Sequence, residues 1–176
     1  LYTGFLAVLN CDMKVDVVSV DFKTHRLFSL NGTGEDGRFS EPQFSWSAQR
    51  IELPSVITAG DIDADGDLDL FIGQYKQPYL KGQMPSPYYD ANDGYPAYLL
   101  QNDGQGIFTD MTEQSGLGLK RFRRSYGASF VDMNGDRKID LLVSSDFAGI
   151  DLYEGNGLGD FKDVTNVWTK QRHTFG

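Results

Sequence analysis

The sequence predicts an all-β fold made of repeated four-stranded antiparallel units, and three observations support this prediction. A short acidic loop recurs three times along the 176 residues. Each copy is followed by a strand, a glycine-rich turn and another strand, which is the pattern of a β-hairpin. The 20 glycines and the scarcity of helix-period stretches fit a chain of strands and tight turns. Four strands per repeat is the blade of a β-propeller, so we expect a partial propeller of about three blades.

The most acidic copy of the loop runs from residue 61 to residue 69, and we number its residues 1 to 9. Carboxylates stand at every odd position: Asp61, Asp63, Asp65, Asp67 and Asp69. Carboxylates this close repel one another unless a cation lies among them, and Ca²⁺ takes about six to eight oxygen ligands. Gly66 permits the sharp bend of such a loop, whereas the Glu that an EF-hand needs at position 12 is replaced by Ile72. We therefore predict a calcium loop between two strands, with an ion-free acidic turn as the alternative.

The other two copies carry fewer acidic side chains. The third loop, 132–140, offers Asp132, Asn134, Asp136 and Asp140, and the first, 8–16, offers Asn10, Asp12 and Asp16. We expect side-chain ligation at positions 1, 3, 5 and 9 and a backbone carbonyl at position 7, which is Asp67 in the second loop and Lys138 in the third. Calcium affinity should be highest in the second loop and lowest in the first, where Val8 replaces the opening ligand. In the third loop Arg137 replaces the glycine, and we expect Gly135 to carry the tight turn.

The strands of each unit follow from the spacing of its loop and hairpin. In the third copy we expect strands over 127–131, 139–144, 150–153 and 161–164. The unit boundaries then fall at 1–53, 54–118 and 119–170, and the segment 171–176 resembles the first strand of a further unit. Because propellers close with about four to eight blades, we expect further blades in the full gene product.

An insertion over 74–96 interrupts the second unit. It is rich in tyrosine and proline, and long loops on a rigid scaffold are disproportionately functional. Clustered tyrosines favour binding because each offers a large surface with a polar tip. Five tyrosines are therefore candidate partner-binding residues: Tyr75, Tyr79, Tyr88, Tyr89 and Tyr95. The alternative is a self-packed loop that covers the edge of a blade.

Charge and composition narrow the function classes. The net charge of −9 argues against a nucleic-acid partner, and no apolar run approaches the length of a membrane span. The single cysteine, Cys11, excludes an internal disulfide. A basic run at 120–124 is expected to be a solvated turn between units, with contact to an anion or an acidic partner as the alternative.

The acidic loops, each leading into a strand such as that at 68–73, resemble FG-GAP/VCBS repeats. The phrase at 101–117, together with the strand that follows at 126–132, is similar to cartilage-acidic-protein-like chains of the ASPIC/UnbV type. The resemblance covers nearly the whole chain outside the insertion. It implies a β-propeller with Ca²⁺ in its loops and a location that is extracellular, on the cell surface or periplasmic. It also implies a binding role and no reaction.

Two function hypotheses follow. The preferred one is a calcium-stabilised binding or scaffold module, as in cell adhesion, that assembles with other protein chains. The alternative is the accessory or catalytic propeller of a carbohydrate-active enzyme, with the tyrosine-rich loop as a platform for glycans. His25 and His173 have no catalytic partner visible in the sequence, and neither a Gly-x-Ser-x-Gly elbow nor a zinc motif is present. We therefore expect no enzymatic activity.

Overall fold

The computed structural model describes residues 4–10, 12–34, 36–46, 50–78, 84–85 and 87–170. Within these residues the chain forms three antiparallel sheets of four strands, in which neighbours in sequence are neighbours in the sheet. Sheet I contains β1 (Gly4–Ala7), β2 (Asp16–Asp21), β3 (Arg26–Leu30) and β4 (Gln43–Trp46). Sheet II contains β5 (Pro54–Gly60), β6 (Asp69–Gln74), β7 (Tyr98–Asn102) and β8 (Phe108–Asp110). Sheet III contains β9 (Arg124–Val131), β10 (Asp140–Asp146), β11 (Gly149–Gly155) and β12 (Phe161–Asp163).

Helical structure is limited to two short segments of the described chain. A 3-10 turn, Gly118–Lys120, precedes sheet III, and α1 (Thr165–Trp168) follows β12. No described helix has the length and apolar character needed to cross a membrane. The predictions of an all-β fold and of four-stranded antiparallel units are confirmed, and the strands expected for the third unit match β9 to β12 to within three residues. The segment 171–176 lies outside the described residues.

Sheet II lies between the other two sheets and is buried on both faces. Successive side chains of a strand point to opposite faces of the sheet. Leu70 and Ile72 of β6 join the core shared with sheet I, whereas Phe71 joins the core shared with sheet III. The ring of Trp46 in β4 packs edge-on against Tyr98 in β7, with centroids 4.8 Å apart. Every residue of β6 is buried as a result.

Hydrogen bonds also join neighbouring sheets. Asn102 Nδ2 donates to the Leu9 carbonyl at 2.7 Å, which links sheet II to the loop before β2. Ser55 Oγ donates to the Ser125 carbonyl at 2.6 Å and links β5 to β9. The approach between sheets II and III is so close that a Cβ on Gly73 would lie 3.0 Å from Ser125 Cβ. A larger residue at position 73 would therefore push the two sheets apart.

The basic run at 120–124 is not a solvated turn, and that prediction is wrong. The side chains of Arg123 and Arg124 are only 4% and 2% exposed. Lys120 Nζ lies 2.6 Å from Asp151 Oδ1, and Arg121 Nη1 lies 2.8 Å from Glu113 Oε1. These cations are buried because acidic side chains that are distant in sequence fold over them.

Arginine pairs fix the insertion at 74–96 to sheet III. Arg124 binds the Asp93 carboxylate in a bidentate manner, since Nε donates to Oδ1 at 2.9 Å and Nη2 donates to Oδ2 at 2.8 Å. Hydrogen bonds from Arg124 lower the pKa of Asp93 below its usual value. Arg123 Nη2 donates to Asp90 Oδ1 at 2.6 Å, and its Nε lies 3.1 Å from Asp151 Oδ2. The C-terminal half of the insertion is thus tied to the sheet through charge-assisted bonds.

We predict that Asp93→Asn destabilises the protein by about 1–3 kcal/mol, because the buried Arg124 guanidinium loses its hydrogen-bonded carboxylate partner. Arg50→Gln is the matched control, since it breaks the exposed ion pair with Glu52. That change should cost no more than about 0.5 kcal/mol. Urea unfolding of both variants measures the difference. Equal midpoints for Asp93→Asn and the native chain would contradict the anchoring role.

Candidate metal loops

The three acidic loops occupy the same place in each sheet, between the first and second strands. Each loop bends through a left-handed residue at position 6, with φ of 60° at Met13, 95° at Gly66 and 68° at Arg137. Gly135, at position 4 of the third loop, is also left-handed with φ of 82°. The expectation that Gly135 would take over the turn from Arg137 is therefore incomplete, because both residues adopt the unusual conformation.

The aspartate at position 9 of each loop is fully buried and accepts two backbone hydrogen bonds. In the second loop, Asp69 Oδ2 accepts from Ile62 N–H at 3.0 Å and Oδ1 accepts from Asn102 N–H at 2.9 Å. The other two loops repeat this arrangement, with all four N···O distances at 2.9 Å: Asp16 with Leu9 and Gly32, and Asp140 with Met133 and Gly155. Each of these carboxylates ties position 2 of its loop to the end of the third strand.

Burial raises the pKa of two aspartates in the second loop. Removal from water raises the pKa of Asp69 to about 7, against the lowering effect of its two backbone bonds. Burial, followed by repulsion from Asp65, Asp63 and Asp61, raises the pKa of Asp67 to about 6. Burial is the largest cause of both shifts, and repulsion from the neighbouring carboxylates adds to it.

The remaining acids of the second loop converge. Carboxylate oxygens of Asp61, Asp63 and Asp65 lie within 4.8 Å of one another. Asp61 accepts N–H bonds from Asp65 at 3.1 Å and from Gly66 at 3.2 Å, which curls the loop around it. Among the described residues, Asp63 Oδ1 and Asp67 Oδ1 are buried atoms with no hydrogen-bond partner. Buried polar atoms are normally satisfied, so these two oxygens mark where a ligand fits.

This donor set suits a hard divalent cation. All of the converging atoms are carboxylate oxygens, which Ca²⁺ and Mg²⁺ prefer, and sulfur and imidazole are absent from the cluster. In the part of the chain that the structure describes, this is the one group of three or more such ligands that meets the distance criterion for a metal.

The third loop is shaped alike but is more open. Asp132 Oδ1 accepts from Gly135 N–H at 2.7 Å and from Asp136 N–H at 3.2 Å, while Oδ2 accepts from Arg137 N–H at 2.9 Å. The hydrogen bond from Arg137 N–H is the largest of the effects that lower the pKa of Asp132 below its usual value. Lys138 Nζ lies 3.6 Å from Asp136 Oδ2, so its charge faces the loop.

The first loop has the fewest acidic groups. Asn10 Oδ1 accepts from Asp12 N–H at 3.3 Å, and Asp12 Oδ1 accepts from Lys14 N–H at 2.9 Å. Lys14 Nζ also lies 3.7 Å from Asp12 Oδ2. Cys11, at position 4, lies outside the described residues.

Two residues on the third strands contact the loops and were not anticipated from sequence. Gln101 Nε2 donates to Asp63 Oδ2 at 2.5 Å, and Glu154 Oε1 accepts from Asn134 Nδ2 at 3.2 Å. Each stands immediately before the residue bound by the position-9 aspartate. Their contacts depend on the register of the third strand against the loop, which the spacing of the sequence does not give.

The candidate tyrosines of the insertion fall into separate environments. Tyr75 Oη donates to Asp146 Oδ2 at 2.8 Å, and burial together with this bond raises the pKa of Tyr75 to about 12. Tyr88 and Tyr89 are exposed, with their rings 5.2 Å apart, and Tyr88 also packs against Phe147 at 5.3 Å. Tyr95 is half-buried, and Tyr79 lies outside the described residues.

Comparison with known protein families identifies a repeat in part of this chain. Residues 9–72 match the family model of the FG-GAP-like repeat, a segment that contains positions 2 to 9 of the first acidic loop and the whole of the second. No curated protein matches the chain. The matched repeat suggests a propeller-type extracellular module.

We predict that Asp69→Asn lowers stability by about 1–3 kcal/mol even in the presence of a chelator, since one of its two backbone N–H groups then faces an amide donor. Asp65→Asn is the control because its Oδ1 can still accept from Asp67 N–H, a bond of 3.0 Å in the native chain. Chelator-treated Asp65→Asn should unfold at or above the native temperature, since repulsion is relieved. If the two variants unfolded alike, Asp69 would have no structural role beyond that of Asp65.

Proposed function

We propose that this chain is a calcium-binding segment of an FG-GAP/VCBS-type β-propeller that acts outside the cytoplasm as a binding or scaffold module. The observation that carries the proposal is the convergence of Asp61, Asp63 and Asp65, together with the buried Oδ1 atoms of Asp63 and Asp67, which have no hydrogen-bond partner within the part of the chain that the structure describes. This cluster lies within the segment that matches the FG-GAP-like repeat.

The residues that would hold calcium in the second loop are Asp61, Asp63 and Asp65, with Asp67 beside them. Bound calcium would supply positive charge that cancels the repulsion among these carboxylates. In the third loop the corresponding residues are Asp132, Asn134 and Asp136. The greater burial and charge of the second loop favour a higher affinity there, and the first loop, with Val8 at position 1, should be weakest.

The packing of the sheets supports a partial propeller. The three sheets follow one another in chain order, and their first strands adjoin, since β5 contacts both β1 and β9. Each sheet repeats the same loop between its first and second strands. The likeness to ASPIC/UnbV-type chains, carried by the residues at 101–117 and 126–132, belongs to this proposal, as do further blades.

The partner-binding surface is assigned to the exposed ring pair of Tyr88 and Tyr89. Because Asp90 and Asp93 are held by Arg123 and Arg124, the two rings are presented on an anchored segment. Anchoring lowers the ordering cost of binding, which favours a surface for another protein chain. Deletion of the whole insertion would remove the carboxylates that bind Arg124 and Arg123 Nη2, so single-residue changes are the appropriate test.

A carbohydrate-active role is the second candidate, and the exposed aromatic rings at Tyr88 and Tyr89 are the observation that favours it. Aromatic faces also stack on sugar rings. A glycan array combined with a hydrolysis and lyase screen separates the two candidates. Glycan cleavage would favour the enzyme, whereas a chain that binds without turnover is a binding module.

Calcium should raise the stability of the folded chain. At a concentration about a hundredfold above Kd, a single site adds about 2.7 kcal/mol to the free energy of unfolding. We expect calorimetry to detect calcium binding and a chelator to lower the melting temperature. Asp65→Asn should weaken the second loop about tenfold, whereas Glu41→Gln, on an exposed turn, should not change the titration. An unchanged melting temperature on chelation would contradict the proposal.

Tyr88→Ala and Tyr89→Ala together should abolish binding to any array component or immobilised extracellular protein that captures the native chain. Both rings are exposed, so the melting temperature should change little. Tyr126→Ala is a matched control, because Tyr126 is also exposed but lies on β9. Retained binding by the double variant would assign the contact to another surface.

A further inference from the structure

One residue of the third strand reaches position 3 of the acidic loop in both sheet II and sheet III. In sheet II the amide of Gln101 donates to Asp63 Oδ2 at 2.5 Å. In sheet III the direction is reversed, and the amide of Asn134 donates to Glu154 Oε1 at 3.2 Å. Gln101 and Glu154 are equivalent in the repeat, since each precedes the residue whose N–H is bound by the position-9 aspartate.

The two pairs contain the same chemical groups with their places exchanged. Sheet II has the carboxylate on the loop and the amide on the strand, whereas sheet III has the amide on the loop and the carboxylate on the strand. When the strand residue is counted with positions 1, 3 and 5, both sets contain three carboxylates and one amide, and among the described residues the three carboxylates converge to within 4.8 Å in sheet II alone. These sets are Asp61, Asp63, Asp65 and Gln101 in sheet II, and Asp132, Asp136, Glu154 and Asn134 in sheet III.

The contact in sheet II also controls which oxygen of Asp63 is free. Gln101 occupies Oδ2, while Oδ1 is buried and has no hydrogen-bond partner among the described residues. Independently, Asp67 is 4% exposed, and its Oδ1 is also without a described partner. Two unsatisfied buried oxygens beside the converging carboxylates point to a cation as the missing neighbour.

We propose that Gln101 and Glu154 belong to the calcium sites. Gln101 is a positioning residue that turns Asp63 Oδ1 toward the cation, and Glu154 supplies the carboxylate that the third loop lacks at position 3. This inference rests on the calcium binding proposed above and adds to it a residue outside the nine-residue loop. It also predicts that the second and third loops differ less in affinity than their own acids imply.

An exchange experiment tests the inference. Calcium affinity of the second loop is measured by calorimetry in chains that carry Asp136→Asn, which weakens the third loop. Asp63→Asn should lower the affinity by about 10–100-fold. Asp63→Asn with Gln101→Glu should recover most of that loss, because the pair then reproduces the arrangement of sheet III. The matched control combines Asp63→Asn with Gln105→Glu, which places the same charge on the exposed turn of the same hairpin and should recover little.

The reciprocal exchange guards against a variant that does not fold. In chains that carry Asp65→Asn, Glu154→Gln should weaken the third loop, and addition of Asn134→Asp should restore it. Asn134 and the loop around it are exposed, so these changes do not disturb the core. Recovery in both exchanges supports the inference. No recovery beyond the Gln105 control overturns it while calcium binding stands, and absence of calcium binding by the native chain overturns both.

Discussion

The structure depends on a buried aspartate that accepts two backbone hydrogen bonds at the same place in each sheet. A buried carboxylate is costly unless its oxygens are satisfied, and bonds to backbone N–H groups supply that compensation. Asp16, Asp69 and Asp140 each join the start of an acidic loop to the end of the third strand. These bonds thereby tie together the first three strands of each sheet at the end where the acidic loop lies.

This bond also explains the shape of the acidic loops. With both ends of the loop fixed, the intervening residues must turn sharply, and the left-handed residue at position 6 makes that turn. Met13 and Arg137 adopt this conformation at a cost of about 1–2 kcal/mol each relative to glycine, which the sheet contacts offset. The turn then brings positions 1, 3 and 5 together. In the second loop this places the carboxylate oxygens of Asp61, Asp63 and Asp65 within 4.8 Å of one another.

The strands and loops could be predicted from the sequence because both depend on local residue patterns. Alternating residues after each loop, as at Leu70 and Ile72, predict a β-strand. Tight turns carry glycine, and the repeat reveals the register of the four-stranded unit. For these reasons the sheet boundaries of the third unit were predicted closely.

The contacts that escaped prediction join residues far apart in sequence. The sequence predicts a solvated turn at Arg123 and Arg124, because their partners, Asp90 and Asp93, lie in an insertion whose position no repeat indicates. Gln101 and Glu154 escaped for a related reason, since the register of the third strand against the loop decides that they meet Asp63 and Asn134. Spacing gave Asp69 the role of a metal ligand, whereas its backbone bonds become visible only when β7 is placed beside the loop.

Native-state hydrogen exchange tests the central role of these aspartates most directly. Three amides at position 2 (Leu9, Ile62 and Met133), two at the ends of third strands (Asn102 and Gly155) and one just after β3 (Gly32) should be as protected as the core amides of β6. Their exchange should then require opening of the whole sheet. Asp69→Asn should abolish this protection at whichever of the Ile62 and Asn102 amides then faces the new NH2 group, and should leave the two amides that bond to Asp140, those of Met133 and Gly155, protected. Exchange of the six amides at the rates of exposed loops in the native protein would contradict it.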